Sequence, residues 1–75
     1  MSQGAGFIDI VKARGFEAIR LAKEAGLTAP TIRHLMAAKT LPNLATTIKL
    51  ARALNLPVGV LAQVFADQYQ RRDAA

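Results

Sequence analysis

The segment at residues 18–39, AIRLAKEAGLTAPTIRHLMAAK, leaves this chain few ways to fold. Gly26 divides it into two helical patterns. Ahead of the glycine, Leu21, Ala22 and Ala25 fall at i, i+1 and i+4, on one face of a helix. Behind it, Leu27, Ile32 and Leu35 lie on the core side of a second helix. Glycine takes positive φ at little cost, which suits the position just past a helix end. Thr28 supplies a hydroxyl able to cap the next helix. Pro30 falls in that helix's first turn, where a missing N–H leaves no bond unmade. The expectation is two helices joined by a tight turn.

The rest of the chain must pack around this pair. With 75 residues there is room for one domain. A domain of this size buries only ~60% of the surface its unfolded chain exposes, so stability is modest or is helped by a second copy or partner. No strand pattern, repeat or low-complexity tract interrupts the helical reading. Residues 1–6 are polar, glycine-containing and unpatterned, and are expected to be frayed. Phe7, Ile8, Ile10 and Val11 indicate a short first helix ending before Gly15. Phe16 then either plugs the core or staples the next helix by packing on Ile19 or the stem of Arg20.

The second helix is expected over about residues 17–25 and the third over about 29–38. KTLPN (residues 39–43) reads as a loop from its proline and polar groups. A fourth helix covers 44–54, with Leu44, Thr47 or Ile48, Ala51 and Leu54 on the inward stripe and Leu50 beside it. Asn55 can end it in the left-handed conformation. Pro57 opens a fifth helix with Val58, Leu61 and Val64 or Phe65 inward. The domain is thus expected at 7–66, with 67–75 an extension that is either the helix's end or disordered.

Composition removes several functions. The absence of cysteine excludes disulfides, thiolate catalysis and cysteine metal sites, and fits a reducing cytoplasm. MSQGAGFIDIVKAR lacks the charged start of a signal peptide and places Asp9 inside its short apolar run. The longest uncharged run falls well short of the ~18–20 residues that span a bilayer. The five carboxylates are scattered, Ser2 and His34 are the only serine and histidine, and no glycine-rich phosphate loop occurs. An enzyme is not expected. Neither a cofactor nor a small-molecule ligand is indicated. His34 has no second histidine or cysteine with which to complete a metal site.

Charge is more informative. The net charge is +5, and no acidic residue occurs between Glu24 and Asp67, where Arg33, Lys39, Lys49 and Arg52 all lie. An acid-free basic segment is an expected footprint for nucleic acid, although a solvated face gives the same pattern.

The joint register resembles the Cro/phage-repressor (XRE-type) helix-turn-helix family. The turn carries Ala22, Gly26, Leu27 and Thr28. Ile32 and Leu35 match the two buried positions of the recognition helix. AKTLPNL (38–44) is similar to the family's G-K-x-x-P-x-L, and LARAL (50–54) to its L-A-x-x-L helix. Three positions depart from the pattern. Ala38 replaces the usual glycine, Thr47 replaces a leucine, and Glu17-Ala18 replace a serine cap and a phosphate-binding glutamine. The resemblance covers about residues 7–65. It implies an all-α, compact five-helix domain, lambda-repressor-like, that binds duplex DNA to regulate transcription, as phage and plasmid repressors do.

From the resemblance, Ala29, Pro30, Arg33 and His34 face base edges in the major groove. Arg33 either pairs with guanine O6 and N7 or clamps a phosphate. His34 either meets a base edge or phosphate or is a plain surface histidine. Ala29 and Pro30 suit thymine methyls. Thr28, Thr31, Lys39, Thr40 and Asn43 are placed against the DNA backbone, where contacts position without reading sequence.

A single recognition helix reads few base pairs, which implies a homodimer on a palindromic operator. Val60 and Val64, at i and i+4 beside the inward face of the fifth helix, are the candidate dimer interface. The alternative is a helical protein-interaction module of the same fold, antitoxin-like or an adaptor, since fold does not fix function. A membrane-surface role is disfavoured because the apolar faces are needed for the core.

Overall fold

Left-handed closures define the architecture. A computed structural model describes residues 6–74, with side chains through Arg71. Five helices follow one another: α1 (Phe7–Ala13), α2 (Ala18–Ala25), α3 (Ala29–Met36), α4 (Leu44–Leu54) and α5 (Val58–Ala74). Each of the first four is followed closely by a residue at positive φ: Gly15 (78°), Gly26 (73°), Ala38 (59°) and Asn55 (59°). At each, the next amide reaches back across the helix end. Phe16 N–H donates to Val11 O at 3.0 Å, Leu27 to Ala22 at 2.8 Å, Lys39 to His34 at 3.1 Å and Leu56 to Ala51 at 2.8 Å. These bonds satisfy carbonyls that a helix terminus would otherwise leave open, and they turn the chain sharply.

The starts are capped as sharply. Thr28 Oγ1 accepts from Thr31 N–H at 3.4 Å, and Asn43 Oδ1 accepts from Thr46 N–H at 2.8 Å. Asp9 Oδ2 accepts from Gly6 N–H at 3.0 Å. Glu17 stands at the N-cap of α2 without a side-chain cap bond. Pro57 immediately precedes α5, and its carbonyl accepts from Leu61 N–H at 3.2 Å.

The core sits where all five helices meet. It contains Phe7 and Val11 of α1, Leu21, Ala22 and Ala25 of α2, Ile32 and Leu35 of α3, Leu50, Ala51 and Leu54 of α4, and Leu61 and Phe65 of α5. Ala22 and Ala25 have no bulk to hold helices apart, and α2 lies against both α3 and α4. Phe7 and Phe65 close the opposite side, their rings 4.8 Å apart and inclined at 43°. Tilted aromatic pairs at this distance add to the apolar burial. Phe16 is half-buried against the core, and the Arg20 guanidinium lies 4.9 Å over its ring. Phe16 thus packs against the core as expected, and its contact with the next helix is made by the Arg20 guanidinium, while Ile19 is exposed. The aromatic–cation contact is reinforced by an Arg20 Nη1 bond to Gly15 O at 3.4 Å.

Four expectations are corrected. Helix α3 ends at Met36 rather than Ala38, because Ala38 leaves the right-handed region to close it. Leu44 is not on the inward stripe of α4 but 67% exposed. It lies in the first turn, and Thr47 takes the buried place instead, its hydroxyl donating to Asn43 O at 2.9 Å. That bond lets a threonine sit where an aliphatic side chain is expected. Pro57 lies outside α5, whose first residue is Val58. Of residues 1–6, expected to be frayed, Gly6 is instead the N-cap of α1, its N–H donating to Asp9 Oδ2 and its carbonyl accepting from Ile10 N–H at 3.2 Å, while residues 1–5 lie outside the described residues.

Candidate nucleic-acid interface

Helix α3 is held by one face and free on the other. Ile32 and Leu35 are buried, and they fix the helix's rotation about its axis. The face opposite them carries Pro30, Arg33, His34 and Ala37, all exposed. Ala29 is half-buried at one edge of this face and Thr31 at the other. Thus Pro30, Arg33 and His34 share one solvent-facing surface, and Ala29 borders it.

The ends of α3 frame that surface. At the N-terminus, the Thr28 and Thr31 hydroxyls lie 2.8 Å apart. One proton bridges the pair, so the other remains able to donate outward. Pro30 has no N–H and the Thr31 N–H is taken by the Thr28 cap, so at this end of the helix the hydroxyls are the donors on offer to a phosphate oxygen. Past the C-terminus, Lys39 and Thr40 are exposed on the stretch of loop that leaves the Ala38 closure. Asn43 is exposed too, but its Oδ1 is engaged as the cap of α4. Only its amide nitrogen is left to donate to a ligand. An asparagine ahead of an apolar run is the sequence signal for this cap, and reading residues 39–43 only as a loop overlooks it.

The cations Lys49 and Arg52 stand apart. They line an open cleft of about 380 Å³ with Ala53 of α4 and Glu24 and Ala25 of α2. No residue of α3 lines it, and Glu24 offsets part of its positive charge. On α5, Val60 is 50% exposed, whereas Val64 is half-buried against the core. The apolar patch there is narrower than the i, i+4 spacing indicates.

One buried polar residue that bonds to α3 goes unnoticed in the sequence. Gln68, in the segment expected to be an extension, is buried, and its amide spans α1 and α3. The available signal is its place seven residues past Leu61 and three past Phe65, on the same helical stripe.

A short helix crossing, a left-handed glycine turn and an exposed second helix constitute a helix-turn-helix. The helix-turn-helix family model matches residues 9–61. The chain belongs to the XRE-type helix-turn-helix family. That family comprises DNA-binding transcription regulators and not enzymes. Comparison with curated proteins and with solved structures gives no match. The matched region spans α2 and α3 entire, together with the KTLPN loop and α4. No single helix among the described residues is long and apolar enough to cross a membrane. No cluster of histidine, aspartate or glutamate suited to a metal occurs among them.

Proposed function

We propose that this protein is a sequence-specific transcriptional repressor of the phage or plasmid type, working in the cytoplasm and reading the major groove of duplex DNA with α3. The observation that carries this reading is the two-sidedness of α3. Ile32 and Leu35 anchor it, leaving Pro30, Arg33, His34 and Ala37 open to solvent on one face. Arg33 is the base-reading residue, since its planar fork matches guanine O6 and N7. His34 meets a neighbouring base edge or phosphate, and Ala29 and Pro30 pack on thymine methyls. Thr28 and Thr31 at one end of the helix and Lys39, Thr40 and Asn43 past the other hold the sugar–phosphate backbone. Two copies, joined at Val60 and its surroundings, place two recognition helices on a palindromic operator about one helical turn, ~34 Å, apart.

The test is selection of bound sequences from a random duplex pool. The expected result is a short, twofold-symmetric motif. Recovery of unenriched sequence would refute sequence-specific recognition. A second reading draws on the exposure of Leu41 (54%) and Leu44 (67%), which suit a protein partner. On that reading the same selection yields nothing, and substituting Leu41 and Leu44 abolishes capture of the partner.

A further inference from the structure

Gln68 lies beyond the region matched by the family model, yet it is 7% exposed and both ends of its amide are used. Its Oε1 accepts from Phe7 N–H at 2.9 Å, and its Nε2 donates to the Leu35 carbonyl at 2.7 Å. The second bond lands at a particular place. Leu35 O also accepts from Ala38 N–H at 3.1 Å, so it is one of the carbonyls that close α3. Of the four left-handed closures, this one alone uses a residue that is neither glycine nor asparagine. A Cβ in the left-handed region crowds the following carbonyl, and asparagine tolerates that region better than alanine does. The least favourable closure in the domain therefore receives an extra side-chain donor at its own acceptor.

We propose that Gln68 is a positioning residue for DNA recognition, holding the Leu35 carbonyl so that the strained Ala38 closure stays folded. The consequence reaches the interface through Lys39. Its amide donates to His34 O across the closure, at 3.1 Å. When Ala38 leaves the left-handed region, that bond breaks. The last turn of α3, which bears His34, and the start of the loop, which bears Lys39 and Thr40, then lose their fixed relation. Only the closed fraction is competent to bind, so apparent affinity falls with the population of that state. The same amide ties α3 to the first turn of α1 and to α5. The recognition helix is thus referenced to the far end of the chain as well as to its own turn. The proposal rests on the reading of α3 as the DNA-contacting helix, and its test separates the two.

The experiment is a double-mutant cycle on the full chain with Gln68→Met and Ala38→Gly. Methionine keeps the length of the side chain without an amide, and glycine removes the strain that the amide offsets. Two quantities are measured: amide hydrogen exchange at Ala38 and Lys39, and affinity for the selected duplex and for a random one. Gln68→Met is expected to speed exchange at Lys39 and to weaken specific binding by about fivefold, with the random duplex much less affected. Adding Ala38→Gly is expected to restore both. A purely structural loss of core packing would instead leave the two changes additive, and additivity overturns the proposal. Should Gln68→Met alone lose its helical circular dichroism, recovery of the fold on adding Ala38→Gly supports the clamp, and failure to recover refutes it. Unchanged exchange at Lys39 in a folded Gln68→Met also refutes it, whatever the DNA result. If the wild-type chain binds no duplex, the DNA reading fails while the exchange cycle still decides whether Gln68 holds the closure.

Discussion

Ala38 ends α3 in the conformation in which Gly26 ends α2, φ 59° against φ 73°. The two positions differ by one methyl group, and the consequences can be measured. A Cβ added at Gly26 meets nothing within 4 Å, so its cost there is backbone strain alone. That strain is about 1–2 kcal/mol for an ordinary residue. Ala38→Gly removes it, while freeing the unfolded chain costs roughly 0.5–1 kcal/mol in return. Ala38→Gly is therefore expected to stabilise the protein by about 0.5–1 kcal/mol, and Gly26→Ala to destabilise it by at least as much. Urea unfolding of both variants measures this. A less stable Ala38→Gly would show that the left-handed alanine is not strained.

The two capped starts differ in strength. Asn43 Oδ1 sits 2.8 Å from Thr46 N, whereas Thr28 Oγ1 sits 3.4 Å from Thr31 N. Loss of an N-cap costs typically about 1 kcal/mol. Asn43→Ala should therefore cost more stability than Thr28→Ala. Asn43→Asp should keep the cap, since a carboxylate accepts equally well and suits the positive end of the helix. If Asn43 donates its amide to a phosphate, the same change weakens DNA binding without lowering the melting temperature. Equal loss of stability in the alanine and aspartate variants would contradict the capping assignment.

Local features carry most of what the sequence makes legible. Gly26, Thr28 and Pro30 predict the turn because each performs one local task that few residues can. Asn55 predicts the end of α4 for the same reason. Arg33 and His34 are placed outward by the burial of Ile32 and Leu35, which is a matter of helical period alone. What the sequence hides depends on tertiary context. Leu44 is apolar, and periodicity brings it inward, but it lies about 70° round the helix from the centre of the buried stripe and in its first turn. The polarity of Gln68 argues against the burial that its register allows. Only the backbone groups of Phe7 and Leu35, brought together by the fold, make a buried amide acceptable there.

Electrostatics gives the next expectation. Arg33 and Lys39 stand exposed in a segment, residues 25–66, that contains no acid. Log affinity for duplex DNA should fall linearly with log salt, with a slope near −0.9 per phosphate contacted. Titration at several salt concentrations reads the slope directly. Affinity that does not change between low and physiological salt would remove the DNA reading.

Arg33 and Lys39 should then fail in different ways. Arg33→Ala is expected to relax preference at one base pair, worth roughly 1–3 kcal/mol between right and wrong bases. Lys39→Ala should weaken binding to all duplexes by a similar factor and lower the salt slope by about 1. Repeating the selection with each variant separates the roles. A motif unchanged by Arg33→Ala would mean that this arginine contacts phosphate rather than bases.

The last expectation concerns assembly. Leu61 and Phe65 are fully committed to the core, and Val64 is half-buried beside them. Val60 alone of the two candidate valines is largely open, at 50% exposure. A charge at Val64 would therefore disturb the core as well as any contact between copies, whereas a charge at Val60 tests the contact by itself. Val60→Glu should leave the helical circular dichroism and melting temperature nearly unchanged, as exposed substitutions usually do. On a palindromic duplex it should abolish cooperative binding, because two carboxylates would oppose each other across the twofold axis. A small interface can be too weak to hold two copies in free solution, so sedimentation is run with and without the duplex. A single subunit on the selected site, or cooperative binding that survives Val60→Glu, would place the interface elsewhere or remove it.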